Sequence, residues 1–300
     1  MNQTLFLLLG VLGLAGLGSL MSSSSDSHGP ETPPDPYGDR NVIEGTEGDD
    51  TIEGTPGGDA ILTFDGDDSV NGGGGDDIIW TGRGNDTVDA TPGNDLVYLG
   101  EGDDHYGAYN PGVDEGHDTV AGGSGDDVII TNGGEHHIYG DADPNDDSRD
   151  DDHASGNDSI YDNGGTVYVD AGPGNDLIWS PDDSDKDHPD TLYGGDGDDT
   201  IYAGGHDILD GGKGSDLYII RSDSSGPVDI TYGDADNIQI ALPADYTGDK
   251  HFEYVQDGDN VRLLVDGNDL ALLRDVKVAN VRDVSFINQS DAPKAPWQTT

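Results

Sequence analysis

The sequence predicts an all-β fold: a parallel β-roll, a right-handed β-solenoid of nonapeptide repeats, with an N-terminal hydrophobic helix before it and a C-terminal β-hairpin cap after it. Three observations carry that expectation. Aspartates recur at Asp50, Asp59, Asp68, Asp77, Asp86, Asp95 and Asp104, each nine residues after the last. Around each one glycine leads, aspartate follows and an aliphatic residue comes two positions later, as in Gly72-Gly73-Gly74-Gly75-Asp76-Asp77-Ile78-Ile79 and Thr81-Gly82-Arg83-Gly84-Asn85-Asp86-Thr87-Val88. The third is charge: 12 Lys plus Arg stand against 63 Asp plus Glu, for a formal net charge of -51 over 300 residues.

Such a chain needs counter-ions to fold. Two unit charges held about 4.8 Å apart, one strand spacing, repel by roughly 3 kcal/mol at an effective dielectric near 20. With only 32% apolar residues, the composition is that of a disordered chain unless a ligand neutralises it. The sign of the charge excludes a nucleic-acid partner, because phosphate binding needs clustered Lys or Arg. The absence of Cys removes disulfides, thiolate zinc sites and iron–sulfur clusters together. Oxygen ligands remain, and hard divalent cations prefer them.

The N-terminal segment, residues 1–21, reads as a signal or anchor. Leu5 to Met21 is an uncharged apolar run that as a helix would reach about 25 Å, near the lower limit for crossing a bilayer. Met1 to Thr4 carry no Lys or Arg and no A-x-A cleavage site follows, so a cleaved signal and a membrane anchor both stay open. Residues 22–40, with Ser22 to Ser25 and an acidic, Pro-containing stretch, read as a disordered linker. The roll is expected over residues 41–220, the capping region over 221–288 and a disordered tail over 289–300.

After insertions the repeat resumes at Gly122-Gly123-Ser124-Gly125-Asp126-Asp127, Gly172-Pro173-Gly174-Asn175-Asp176, Gly194-Gly195-Asp196-Gly197-Asp198-Asp199 and Gly211-Gly212-Lys213-Gly214-Ser215-Asp216. Its glycines permit tight turns and bring carbonyl oxygens close to an ion, where a Cβ would clash. Ile52, Ile61, Val70, Ile79, Val88, Val97, Val120, Ile129, Ile160, Ile178, Ile201 and Leu209 would point inward as an aliphatic column suited to a pleated surface.

These residues resemble the RTX, or hemolysin-type, calcium-binding family, with its G-G-x-G-x-D-x-U-x repeat. The resemblance implies two nonapeptides per coil, calcium between consecutive coils, and coordination by the sixth-position aspartate and backbone carbonyls. It puts ligands at Asp50, Asp59, Asp68, Asp77, Asp86, Asp95, Asp104, Asp118, Asp127, Asp158, Asp176, Asp190, Asp199, Asp207 and Asp216, with Gly73, Gly75, Gly82, Gly84, Gly93, Gly100 and Gly102 in the turns. Counting half-turns sorts the aspartates into two edges. Asp50, Asp68, Asp86, Asp104, Asp127, Asp158, Asp176, Asp199 and Asp216 make an unbroken one. Asp59, Asp77, Asp95 and Asp118 begin the other, which meets His136 and the Asn163-Gly164-Gly165-Thr166 turn before resuming at Asp190 and Asp207, so its middle sites are expected to be missing or weak. The count assumes one half-turn between His136 and Asp158.

Insertions near Tyr109–Glu115, Gly140–Ser155 and Ser180–Pro189 are tolerable as loops leaving one edge. The middle one has EF-hand-like acidic spacing from Asp141, but Asp146 stands where the turn glycine belongs and no helices flank it, so it reads as a solvated acidic loop, with an independent calcium site as the alternative. From about Arg221 the nonapeptide gives way to alternation, with strands at Phe252–Gln256, Val261–Val265 and Leu270–Arg274 joined at Asp257-Gly258 and Asp266-Gly267. This region would close the open end of the solenoid.

No catalytic motif emerges. Glu135-His136-His137 lacks the helical spacing of a zinc pair, and Ser124 misses the nucleophile-elbow frame. Tyr98, Tyr139, Tyr161, Tyr168, Tyr193 and Tyr202, with Trp80 and Trp179, could form an outward aromatic row for glycans or simply stack across strands. The expectation is a calcium-folded structural or adhesive module, secreted or displayed at the cell surface, with calcium as its cofactor, an extracellular glycan or cell-surface component as partner, and membrane contact only through residues 5–21. A calcium-dependent extracellular enzyme acting on polysaccharide is the alternative. The resemblance also implies type I export through Val276–Thr300, from which the hydrophobic N-terminus departs.

Overall fold

The computed structural model describes residues 40–89, 92–107, 116–141, 155–181, 188–282 and 284–298. The apolar run Leu5–Met21, the linker up to residue 39 and most of each of the three insertions lie outside them. Among the described residues no helix is long and apolar enough to cross a membrane.

Successive strands alternate between two sheets, as a nonapeptide half-coil demands: a short extended stretch of two to eight residues, then a turn that is commonly glycine-rich. Among the described residues the first sheet has 13 strands, beginning with Asn41–Glu44, Asp59–Leu62, Ile78–Arg83 and Leu96–Glu101. The second has 11, beginning with Thr51–Glu53, Ser69–Asn71 and Thr87–Asp89. Each strand pairs in parallel with the one a full coil away, Ile61 opposite Ile79 and Val70 opposite Val88. The roll predicted from the repeat is therefore the observed architecture.

Between the sheets the inward residues stack in two columns. One runs through Ile61, Ile79, Val97, Val120, Ile138, Val169, Leu192, Leu209 and Ile230, all buried. The other runs through Val70, Val88, Tyr106, Ile129, Ile160, Ile178, Ile201, Tyr218 and Ile238. Ile52, at the first coil, is only partly buried, because no complete coil covers it. Tyr106 and Tyr218 take aliphatic positions, and their hydroxyls need partners in so dry a core. Tyr106 donates to Asp118 Oδ2 at 3.1 Å; Tyr218 donates to the Thr231 carbonyl at 3.0 Å and accepts the Gly211 N–H at 2.8 Å.

Coil geometry continues past the last nonapeptide, through Val228–Thr231 and Asn237–Leu242. The chain then forms antiparallel strands Phe252–Asp257, Asn260–Val265 and Asn268–Arg274, the last pairing in parallel with Val228–Thr231. Ser285–Asn288 extends the second sheet beside Asn237–Leu242. Residues 289–298, read from sequence as part of a disordered tail, run over the outer face of that sheet. Trp179 donates Nε1–H to the Pro293 carbonyl at 3.0 Å, and Ala292 and Ala295 are buried with Tyr161, Trp179 and Tyr202. The physical reason is the three-ring apolar surface those side chains present, which gains by being covered.

Candidate metal centre

Turns running from the first sheet to the second form one edge of the roll, and turns running back form the other. On the first edge the register stacks Asp50, Asp68, Asp86, Asp104, Asp127, Asp158, Asp176, Asp199 and Asp216 in the order expected. The structure adds Asp236, whose neighbour Asn237 pairs with Leu217. Among the described residues strand Ser159–Asp162 is the next after Glu135–Tyr139, and it pairs with Val128–Thr131 of the second sheet, so a single half-turn does separate His136 from Asp158.

A hydrogen-bond ladder ties this row together. Each aspartate's backbone N–H donates to Oδ1 of the aspartate one coil on, from Asp50 to Asp68 (2.7 Å) through to Asp199 to Asp216 (3.0 Å) and Asp216 to Asp236 (3.3 Å). That bond uses one oxygen only. Oδ2 of Asp68, Asp86, Asp104, Asp127, Asp158, Asp176, Asp199 and Asp216 is buried and has no hydrogen-bond partner among the described residues. A buried, unpartnered carboxylate oxygen is costly unless a cation or proton meets it.

Backbone carbonyls lie beside these oxygens. A methyl group placed on Gly122 would strike both Asp127 Oδ2 and the Gly140 carbonyl oxygen, and one on Gly140 would strike Asp158 Oδ2 and the Ala171 carbonyl oxygen. The same pairing recurs at Gly194, between Asp199 Oδ2 and the Gly211 carbonyl oxygen. Where glycine leads the turn, as at Gly122, Gly140 and Gly194, its missing side chain lets the turn's own carboxylate and a carbonyl of the next coil come close together; Thr63, Thr81, Leu99 and Ala171 hold the same position before Asp68, Asp86, Asp104 and Asp176. Gly73, Gly75, Gly82, Gly84, Gly100 and Gly102 have positive φ, and Gly93 packs on the Gly75 carbonyl. Among the described residues no three carboxylates or imidazoles converge on one point. The donor set is instead one carboxylate with backbone oxygens at each level, a hard all-oxygen environment that fits calcium.

Electrostatics agree. Burial pushes the carboxyl pKa of Asp77 up to about 6, of Asp104, Asp158, Asp176 and Asp199 to about 7, and of Asp127 to about 8, against an ordinary 3.8. The N–H donated from the preceding coil opposes the rise in each case.

The returning edge is wired differently. Asp59, Asp77, Asp95 and Asp118 continue the ladder (2.8 to 3.0 Å), and Asp118 N–H then meets His136 Nδ1 at 3.3 Å. In the next coil the aspartate position belongs to Val167, level with His136, one residue beyond the 163–166 turn expected to hold it. The ladder resumes where Val167 N–H donates to Asp190 Oδ1 at 3.0 Å. Several second oxygens here already have protein donors: Thr55 N–H and hydroxyl on Asp59, Tyr106 on Asp118, Ser180 on Asp190 and Gly204 N–H on Asp207. His136 is buried beside Asp118, 3.3 Å from its Oδ2, with Nε2 against the Gly133 carbonyl. Burial alone would lower its pKa, but Asp118, Asp162 and that carbonyl together raise it. Among the described residues of this edge, Asp77 alone joins the row of Oδ2 atoms without a hydrogen-bond partner.

Two features escaped the sequence reading. One is a second, exposed ladder at the fifth repeat position, running in the opposite sense. Asn85 N–H donates to Asp67 Oδ1 (2.9 Å), Asp103 to Asn85 (3.0 Å), Asn157 to Asp126 (2.8 Å) and Asn175 to Asn157 (3.0 Å). Its signal was the recurrent Asp or Asn before most sixth-position aspartates, as at Asp67, Asn85, Asp103, Asp126, Asn157 and Asn175; a carboxamide accepts the same bond without adding charge. The other is Asp236, preceded by Gly233 as in a truncated repeat.

The family profile of the RTX calcium-binding nonapeptide repeat matches residues 37–70, 44–79, 54–88, 72–106, 113–145, 154–185 and 187–218. The chain belongs to the RTX calcium-binding repeat family. Its matched segments coincide with the RTX coils described above and break where the insertions at 109–115, 140–155 and 180–189 fall. No curated protein matches the chain. Among solved structures it is similar to the extracellular lipase LipA from Serratia marcescens, at 16% identity and a TM-score of 0.20. That alignment covers 81% of this chain and 39% of the lipase, so the chain spans well under half of its neighbour.

Proposed function

We propose that the roll binds calcium along its unbroken edge, folds on doing so, and serves outside the cell as a structural or adhesive module rather than as a catalyst. The observation that carries this reading is the row of eight buried aspartates from Asp68 to Asp216, each with an Oδ2 that has no hydrogen-bond partner among the described residues. Bound there, calcium would neutralise the row and bridge consecutive coils; the aspartates and turn carbonyls hold it, and the inner ladder keeps each carboxylate aimed at its space. Weak one-carboxylate sites suit the millimolar calcium found outside cells. Support for adhesion comes from the outer face of the first sheet, where Trp80 stacks on Tyr98 (5.8 Å, 6° between planes) and Tyr168 packs between Tyr139 and Tyr193 at 6.1 and 5.6 Å. Rings in such rows suit sugar faces, whereas Tyr161, Trp179 and Tyr202 on the other sheet are covered by the C-terminal segment.

Calorimetric titration of the chelator-treated chain with calcium, followed in parallel by circular dichroism, tests the core of this reading. Cooperative uptake of several ions with a gain of strand signal is expected, and strand content indifferent to calcium refutes it. A glycan array in calcium tests adhesion, and product analysis on an acidic polysaccharide tests the absence of catalysis.

A further inference from the structure

Where the middle insertion leaves the roll, the repeat's second glycine is replaced. Gly140 is level with Gly122 and Ala171, so Asp141 occupies the position that Gly123 fills one coil before and Gly172 one coil after. Read from sequence, Asp141 opens a solvated loop; in the structure it is 3% exposed. Both of its carboxylate oxygens lack a hydrogen-bond partner among the described residues. Its Oδ2 lies 2.7 Å from where a Cβ on Gly172 would sit, so the side chain reaches along the turn toward the next coil. Gly140, its neighbour in sequence, borders Asp158 Oδ2 and the Ala171 carbonyl oxygen. Every charge shown to act on Asp141 is negative, Asp158 foremost, then Asp176, Asp127 and Asp126. Burial first, and those charges next, push its pKa up to about 9.

Elsewhere in the row each level offers one carboxylate. A second, aimed into the same turn, has no structural use as an anion, since among the described residues it neither accepts a backbone N–H nor meets a cationic side chain. We propose that Asp141 is a further calcium ligand which, with Asp158 Oδ2 and the neighbouring turn carbonyls, forms a two-carboxylate site that fills before the one-carboxylate sites of the roll. Added ligand charge is the usual means by which an oxygen site gains calcium affinity. The insertion therefore departs from the point where the roll holds calcium most tightly.

This inference rests on the roll binding calcium at all, and the experiment separates the two. The full chain, Asp141→Asn and Asp141→Gly are titrated with calcium by calorimetry, with circular dichroism in saturating calcium verifying the fold. Asp141→Gly restores the glycine found at this position in neighbouring coils, so it is the variant expected to fold normally. The wild-type chain should show a tight first phase followed by weaker ones. Both variants should shift that first phase to roughly tenfold higher calcium and leave the weaker phases in place. Wild-type binding with superimposable variant curves overturns the Asp141 site alone; a wild-type chain that takes up no calcium overturns the reading beneath it as well.

Discussion

Protons should substitute for calcium. The folded roll without calcium holds its inner carboxylates at raised pKa values, so it binds protons more firmly than the unfolded chain. By linkage its stability is then fully present at low pH and falls as pH rises through the folded-state values. Asp77, about 6 in the roll against an ordinary 3.8, corresponds to roughly 3 kcal/mol lost across that window, at about 1.4 kcal/mol per pH unit. Asp104, at about 7, adds roughly 4 kcal/mol by the same conversion. These two residues, one on each edge, alone reach the lower end of a domain's whole net stability, roughly 5 kcal/mol, and Asp86, Asp127, Asp158, Asp176, Asp199 and Asp216 on the edge of Asp104 are raised as well. His136 acts in the same direction: its raised pKa supplies stability below its unfolded value that disappears as pH climbs past the folded one. In chelator, far-ultraviolet circular dichroism should therefore show a largely unfolded chain near pH 8 and growing strand content toward about pH 5, while calcium restores strands at about pH 8. Strand signal that is constant over this range in chelator, or that falls on acidification, would refute the reasoning.

Three further outcomes follow from individual side chains. His136→Asp makes the returning edge continuous through Asp118, so calorimetry should count additional bound calcium, and the calcium-free chain should become less ordered at neutral pH. Gly100→Ala forces an L-residue to φ of 114° and drives a methyl into the Gly82 carbonyl oxygen of the coil below. Left-handed strain alone costs about 1–2 kcal/mol, so urea unfolding in saturating calcium should show at least that loss. Tyr218→Phe strands the Gly211 N–H and the Thr231 carbonyl in the core, and thermal unfolding in calcium should register about 1–3 kcal/mol without a change in the number of ions bound.

The roll was legible because its cause is local and repeated. A glycine pair, an aspartate and a β-branched residue in nine positions dictate a turn and a short strand, and repetition leaves only stacking as a way to bury the apolar side. The unbroken row of aspartates could be counted for the same reason, even across the 140–155 insertion. His136 stood out as a break in the count. The exact vacancy at Val167 did not, because a turn without its aspartate carries no marker of register.

Sequence by itself determined the coil, the two edges and an all-oxygen chemistry, since these follow from residue type and period. Tertiary structure decided which oxygens are left to bind an ion. The donors that meet Oδ2 of Asp59, Asp118, Asp190 and Asp207 lie only three to twelve residues away, at Thr55, Tyr106, Ser180 and Gly204, but whether they reach the carboxylate depends on how each turn closes in space, and so the returning edge is largely self-satisfied while the other is not. It also decided that the C-terminal residues cover Trp179, and that Asp141, one aspartate among many in an acidic loop, is drawn into the row. Burial is a property of neighbours, and a periodic sequence names its neighbours only where the period is kept.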